Sequence, residues 1–263
     1  MTKVQSGKDS AHIGKDRDYS GKELYVHNLF AAIAHHYDVM NMVMSGGMLR
    51  LWQRAFAAQT GLRPGGRALD VAAGTAELSL VMARQVGPSG RVTGIDFSAE
   101  MLEVGRDKVG ATRSRPGGDR LAPIELVEGD AMALPFAVDT FDCAGSGFAL
   151  RNVKDIERVV REMTRVVRPG GRVVALELSK PSNPLIREPY YLYFYHIVPL
   201  LGWLIDPKTE RNLRAYGWLP KSLVPFPTQQ GLADIFRRAG LVEVGFRGLT
   251  GGIVSVHYGT KPS

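Results

Sequence analysis

The sequence predicts an α/β fold, a mostly parallel sheet covered by helices on both faces. Three observations predict it. Short apolar runs alternate with amphipathic helical stretches between residues 67 and 179. The first run ends in a glycine-containing turn, DVAAGTAEL (70–78), that leads straight into a helix. The last two runs are joined by a short Gly-containing link, which suits an antiparallel pair that closes the sheet. Strands separated by helices must cross over, and crossovers give parallel pairing.

The elements follow in chain order. Residues 1–22 are polar, show no apolar period and read as a mobile tail. The stretch 23–60 is helical, with Leu29, Phe30 and Ile33 at helical spacing and a break at Ser45-Gly46-Gly47; it is expected to cap a single domain spanning 23–263. RALDVA (67–72) is the first strand, 77–86 a helix, RVTGID (91–96) the second strand and 99–109 a helix. A Gly/Pro/Arg loop over 110–123 precedes the third strand, IELVEGD (124–130), and the fourth, FDCAGSG (141–147). Helix 155–167 carries Ile156, Val159, Val160 and Met163 on one face, RPGG (168–171) turns, and RVVALELS (172–179) is the fifth strand. An aromatic, proline-rich insertion over 180–227 reads as a second cap. Helix 229–239 and strands 241–247 and 253–259 end the pattern.

The chain has 263 residues, 44% hydrophobic and 22% charged, enough for a sizeable core. Thirty-three Lys and Arg against 26 Asp and Glu give a net charge of +7, which suits an anionic partner. One cysteine, Cys143, excludes a disulfide framework and multi-cysteine metal chemistry within one chain. No histidine has a carboxylate partner at metal spacing, so no metal is expected. The polar N-terminal stretch has no signal-peptide core, and a cytoplasmic protein is expected. The apolar stretch 184–205 contains Arg187, Glu188, Pro189, His196 and Pro199, which argues for a greasy cap over a membrane span.

The loop after the first strand selects the cofactor. A dinucleotide site needs G-x-G-x-x-G so that backbone can approach a pyrophosphate. Here Gly74 remains, with Ala72, Ala73 and Ala76 where glycine would stand, and there is no Walker lysine. A ligand without phosphates fits better, and S-adenosylmethionine is one. Its carboxylate suits the free N–H groups of the following helix, and Asp70 is placed to take its ammonium. Asp96 ends the second strand, 22 residues after Gly74, and suits ribose hydroxyls. Asp130 and Ala131 follow the third strand and suit the adenine edge, with Met101 and Phe97 flanking its plane. Singly, Asp96 and Asp130 also fit helix caps or turns. Three acids at the ends of three successive strands, beside a Gly-Thr loop, form a more specific constellation.

The sequence resembles the ubiquinone/menaquinone C-methyltransferases, most closely the menaquinone branch. The resemblance rests on YDVMNMVMSGGMLRLW (37–52), GFALRNV (147–153), RVVRPGGRVVALELSKP (165–181) and LTGGIVSVHYGTK (249–261). It implies the Rossmann-like fold of S-adenosylmethionine-dependent methyltransferases, a seven-stranded sheet whose last strand is antiparallel. It also implies C-methylation of a prenylated quinol, demethylmenaquinol being the nearest substrate. Family contacts to the cofactor map to Thr75, Asp96, Asp130, Ala131 and Gly147; the last place often holds serine, and Ser146 lies one position earlier. Two departures stand out. Leu49 replaces a family histidine, and Ala73-Gly74-Thr75-Ala76 replaces the usual G-G-T-G. The alanines are expected to tighten the loop.

A ring carbon becomes nucleophilic when a neighbouring phenol, pKa ~10, loses its proton. Arg151, with Asn152, is the candidate to hold the phenolate or order a water; a structural salt bridge is the other reading. Tyr37, Asp38 and Asn41 are candidates to meet the quinol head group, and His196 is a candidate base. The implied partners are a prenylated quinol lipid and an anionic membrane surface met peripherally, with Tyr190, Tyr191, Tyr193, Phe194, Tyr195 and Trp203 as interfacial rings. Nucleic acid is not expected, because SGFALRN stands where base-amino methyltransferases carry [ND]-P-P-[YF]. A methyltransferase of a soluble phenol and a homo-oligomer both stay open on the sequence.

Overall fold

The computed structural model describes residues 21–114, 121–198, 200, 218 and 220–263. The expected tail over 1–20, the 115–120 part of the loop and Trp203 lie outside the described residues. The chain opens with helices α1 (Lys22–Ile33), α2 (Tyr37–Met44) and α3 (Leu49–Ala57). Strand β1 (Arg67–Val71) then alternates with α4 (Glu77–Val86), β2 (Arg91–Asp96), α5 (Ala99–Arg113) and β3 (Ile124–Glu128). Strand β4 (Phe141–Gly147), α6 (Ile156–Val166) and β5 (Val167–Leu178) follow. Helix α7 (Pro184–Leu192) begins the insertion, and α8 (Gln229–Arg238), β6 (Val242–Leu249) and β7 (Val254–Thr260) complete the chain.

Local chemistry starts helices α5 to α8. Ser98 accepts from the Met101 N–H at 3.3 Å, Asp155 from Arg158 at 2.9 Å and Thr228 from Gly231 at 3.1 Å. Asn183 accepts from Leu185 at 3.0 Å, with Pro184 at the first helical position.

The seven strands form one sheet in the order β3-β2-β1-β4-β5-β7-β6. Pairing is parallel from β3 through to β5, and β7 runs antiparallel to both its neighbours. Strand order reverses between β1 and β4, so the ligand crevice lies beyond the carboxyl ends of those two strands. One apolar cluster joins α6, α8 and the insertion to one face of the sheet, through residues such as Met163, Phe194 and Phe236. The other joins α3 and α4 to the opposite face, through Trp52, Phe56 and Met82.

Two local expectations are corrected. RPGG is not a separate turn: β5 starts at Val167, and the register slips between Phe141 and Cys143. Gly170, at φ +75°, allows this bulge, and a Cβ on Gly171 would sit 2.6 Å from the Asp142 carbonyl. The aromatic run of the insertion does not face outward as a block. Tyr190 and Phe194, four residues apart on one helical face, are buried and stack at 5.2 Å. The exposed large apolar side chains of the insertion include Leu185, Leu192, Tyr195, Ile197 and Leu200.

Candidate active site

A cavity of about 280 Å³ lies at the strand-order reversal. Gly74, Asp96, Met101, Asp130, Ala131 and Gly147 all line it, as do Phe97 and Asn152. Val26, Phe30 and Tyr37 from α1 and α2 close its outer side.

Asp96 is 6% exposed, and both its oxygens are held in place. The Gly74 N–H donates to Oδ2 at 2.8 Å and the Ser98 N–H to Oδ1 at 2.9 Å. Each oxygen has a second lone pair, so a fixed carboxylate with acceptor capacity stands in the cavity wall. Burial raises its pKa, and these backbone donors oppose that rise. Asp130 accepts the Met132 N–H at 2.8 Å, which orients the turn after β3.

The loop runs left-handed at Ala72 (φ 56°), Gly74 (φ 51°) and Ala76 (φ 64°). Two alanines therefore hold a backbone conformation that favours glycine, each strained by about 1–2 kcal/mol. Helix α4 has no side-chain cap from Ala76. Asp70 takes that role from below: its carboxylate accepts both the Ser79 N–H and, at 2.6 Å, the Ser79 hydroxyl. Asp70 is thus buried and is not among the residues lining the cavity.

Burial pushes the Asp70 carboxyl up to about 7, against the Ser79 bonds that lower it. Between pH 4 and 7 the folded chain keeps a proton that the unfolded chain has lost. Stability should therefore fall as pH rises through that window and level off above it, by about 4 kcal/mol at most. Asp70→Asn should lack this slope, so its advantage over the wild type should grow from pH 5 to pH 8 in denaturant titrations. Parallel pH profiles would contradict the shift.

Thr75 is also turned from the cavity. Its hydroxyl donates to Asp38 Oδ1 at 2.7 Å and accepts from Lys108 Nζ at 3.0 Å, and Lys108 pairs with both Asp38 and Glu77. This cluster fastens α2 to the loop, α4 and α5. Lys108 escaped the sequence reading, because its partners lie 31 to 70 positions away.

Beyond β4, Phe148 holds φ +56°, an outlier for a bulky residue and typical of a functional turn. Its carbonyl accepts from Arg151 Nη1 at 2.7 Å, and its ring packs on Trp52. Arg151 is 5% exposed and pairs with Glu177 Oε2 at 3.0 Å; Glu177 Oε1 accepts the Leu150 N–H at 2.6 Å. Burial raises the Glu177 carboxyl, and Arg151 opposes it. The sequence held a signal for Glu177 that went unused: a lone acid inside the apolar strand RVVALEL requires a buried cation. Asn152 accepts from the Trp218 indole at 3.1 Å. Burial also raises the Tyr37 phenol, against Arg151 and a hydrogen bond to Asn41.

A second pocket of about 140 Å³ shares Phe148 with the cavity. Arg151, Asn41, Tyr190 and Thr250 are among its polar members; Met44, Met48, Leu49, Trp52 and Ile253 make most of the rest apolar. A crevice lined by Tyr37, Asn41, Arg151 and Asn152 lies between the two. His196 is exposed and lines none of these spaces.

The model of the ubiE/COQ5 methyltransferase family matches residues 19–261. The chain belongs to this family. The methyltransferase is 43% identical over 247 residues to the demethylmenaquinone methyltransferase of Desulfitobacterium hafniense, covering 93% of this chain and 94% of the relative. It is 45% identical over 241 residues to the protein of that name from Symbiobacterium thermophilum, covering 91% and 94%. The crystal structure of a possible histamine N-methyltransferase from Thermotoga maritima matches with a TM-score of 0.61 at 19% identity, covering 89% of this chain and 99% of that one. That likeness shows the shared fold. The cofactor is S-adenosylmethionine. The cavity fits it: fixed acceptors at Asp96 and Asp130, apolar walls at Phe97 and Met101, and a loop that lacks the glycines of a pyrophosphate cradle.

Proposed function

We propose that this methyltransferase methylates a ring carbon of demethylmenaquinol, with Asp96, Asp130, Ala131, Met101, Gly74 and Gly147 around the cofactor. The observation that carries the substrate class is the apolar pocket that borders the cofactor cavity, with Phe148 lining both. A ring and the start of a prenyl chain suit such a pocket, and Leu49 in place of a family histidine makes it greasier. The naphthoquinol choice is supported by the names of the relatives.

When bound, S-adenosylmethionine supplies an electrophilic methyl group. The protein's task is then to position the acceptor and hold its charge. Arg151, aimed by Glu177, stabilises the phenolate as the quinol hydroxyl gives its proton to an ordered water, and the ring-carbon proton leaves by the same water after methyl transfer. Tyr37 stays protonated and donates to a quinol oxygen, and Asn152 is fixed by Trp218 beside it. Helix α1 and helix α2, the latter fastened by the Asp38–Thr75–Lys108 cluster, cover the site and exclude bulk water. The test is incubation with reduced naphthoquinols, reduced benzoquinols and a soluble catechol, read by mass spectrometry of the extract. The expected result is a gain of one methyl on the demethylated naphthoquinol; turnover of the catechol alone would contradict the reading.

Peripheral membrane contact accompanies this proposal. No helix among the described residues is long and apolar enough to cross a membrane. Leu185 is 84% and Leu192 64% exposed on the insertion, and the net charge is +7. Liposome flotation should show binding that rises with anionic lipid and falls with salt. No binding at any lipid composition would leave the insertion as an ordinary cap.

A further inference from the structure

We infer that Tyr190 is a substrate-binding residue: its hydroxyl donates a hydrogen bond, beside Arg151, to a ring oxygen of a prenylated para-quinol seated in the apolar pocket. This rests on the quinol reading above and assigns a group to it that the motifs did not supply.

Three observations meet at this side chain. Tyr190 is 6% exposed and lines the pocket of about 140 Å³. Its hydroxyl is buried and has no hydrogen-bond partner among the described residues. Buried polar groups are almost always paired, so one left over in the wall of a pocket marks the place of a ligand atom. The neighbouring phenol shows the contrast: Tyr193 lines the same pocket, but its hydroxyl already donates to the Met44 carbonyl at 3.2 Å.

The surroundings fit an oxygen acceptor. The Arg151 guanidinium borders the same pocket and acts electrostatically on Tyr190. Burial holds the Tyr190 phenol above its ordinary range, so it keeps its proton. A neutral donor and a cation on one apolar pocket stabilise an oxygen that gains negative charge. Stacking on Phe194 and the helical frame of α7 fix the ring, so the hydroxyl is presented without a search for its rotamer. Met44, Met48, Leu49 and Ile253 are left for the prenyl chain.

Tyr190→Phe removes one oxygen and nothing else. No partner among the described residues is orphaned by the change, so the melting temperature should stay or rise slightly, and S-adenosylmethionine affinity by calorimetry should stay within about twofold. With a reduced, short-chain 2-prenyl-1,4-naphthoquinol as probe, kcat/KM should fall about ten- to a hundredfold. Equal kcat/KM in the two proteins, with the wild type active, would overturn the Tyr190 assignment alone. A large drop in melting temperature would overturn it as well, by making the hydroxyl structural. A wild type inactive on every prenylated quinol, yet binding the cofactor, would overturn the substrate reading and the assignment together.

Discussion

Arg151→Ala is expected to abolish most turnover and to destabilise the fold at the same time. The pair with Glu177 is buried on both sides, at 4% and 0% side-chain exposure. Removing one partner of such a pair costs about 3–5 kcal/mol, because the other charge stays buried and uncompensated. In a domain of this size that lowers the melting temperature by roughly 6–20 °C. The single variant therefore mixes two effects. The double variant Arg151→Met with Glu177→Gln separates them. Methionine fills the space, and the new amide oxygen still accepts from Leu150. Its melting temperature should return close to the wild-type value, whereas kcat should stay at least about a hundredfold down. Cofactor affinity should change little in either protein, since Arg151 does not line the cofactor cavity. A stable double variant with wild-type kcat would make the arginine purely structural.

The second large effect belongs to Asp96. Asp96→Asn keeps the size of the side chain but removes its charge. It also turns an amide N–H toward either Gly74 or Ser98, whose own N–H groups now donate to the carboxylate. Losing a charge-assisted hydrogen bond costs about 1.5–3 kcal/mol, so calorimetry should show S-adenosylmethionine bound about 10- to 150-fold more weakly. The displaced loop adds to that loss. Unchanged affinity would take Asp96 out of the cofactor site.

The positions of both residues were legible before the structure, though only the family resemblance favoured a role in the chemistry for Arg151 over a structural salt bridge. Strands buried on two faces read as continuous apolar runs, so their ends are sharp, and the chemistry of this fold sits at those ends. Asp96, Asp130 and Arg151 are all placed by that logic. What depends on a partner distant in sequence was not legible. Asp70 reads as a ligand for an ammonium, and nothing in the sequence announces that its carboxyl accepts the Ser79 hydroxyl of α4. Thr75 reads as a cofactor contact, yet Asp38 of α2 holds its hydroxyl. In the insertion, composition announced an aromatic surface, but only packing decides which helical face turns inward. Tyr190 and Phe194 went to the core and Leu185 and Leu192 to the outside. The histidine named as a candidate base, His196, is exposed with them.

The most direct test of the account is the position of the transferred methyl group. The protein would be incubated with S-adenosylmethionine carrying a CD3 group and with reduced demethylmenaquinone, and the lipid product analysed by fragment mass spectrometry and NMR. Charge stabilisation at a phenolate beside an apolar pocket predicts the CD3 group on the quinol ring carbon, with both ring oxygens unmethylated. A methyl ether, or label recovered only in a soluble product, would contradict it.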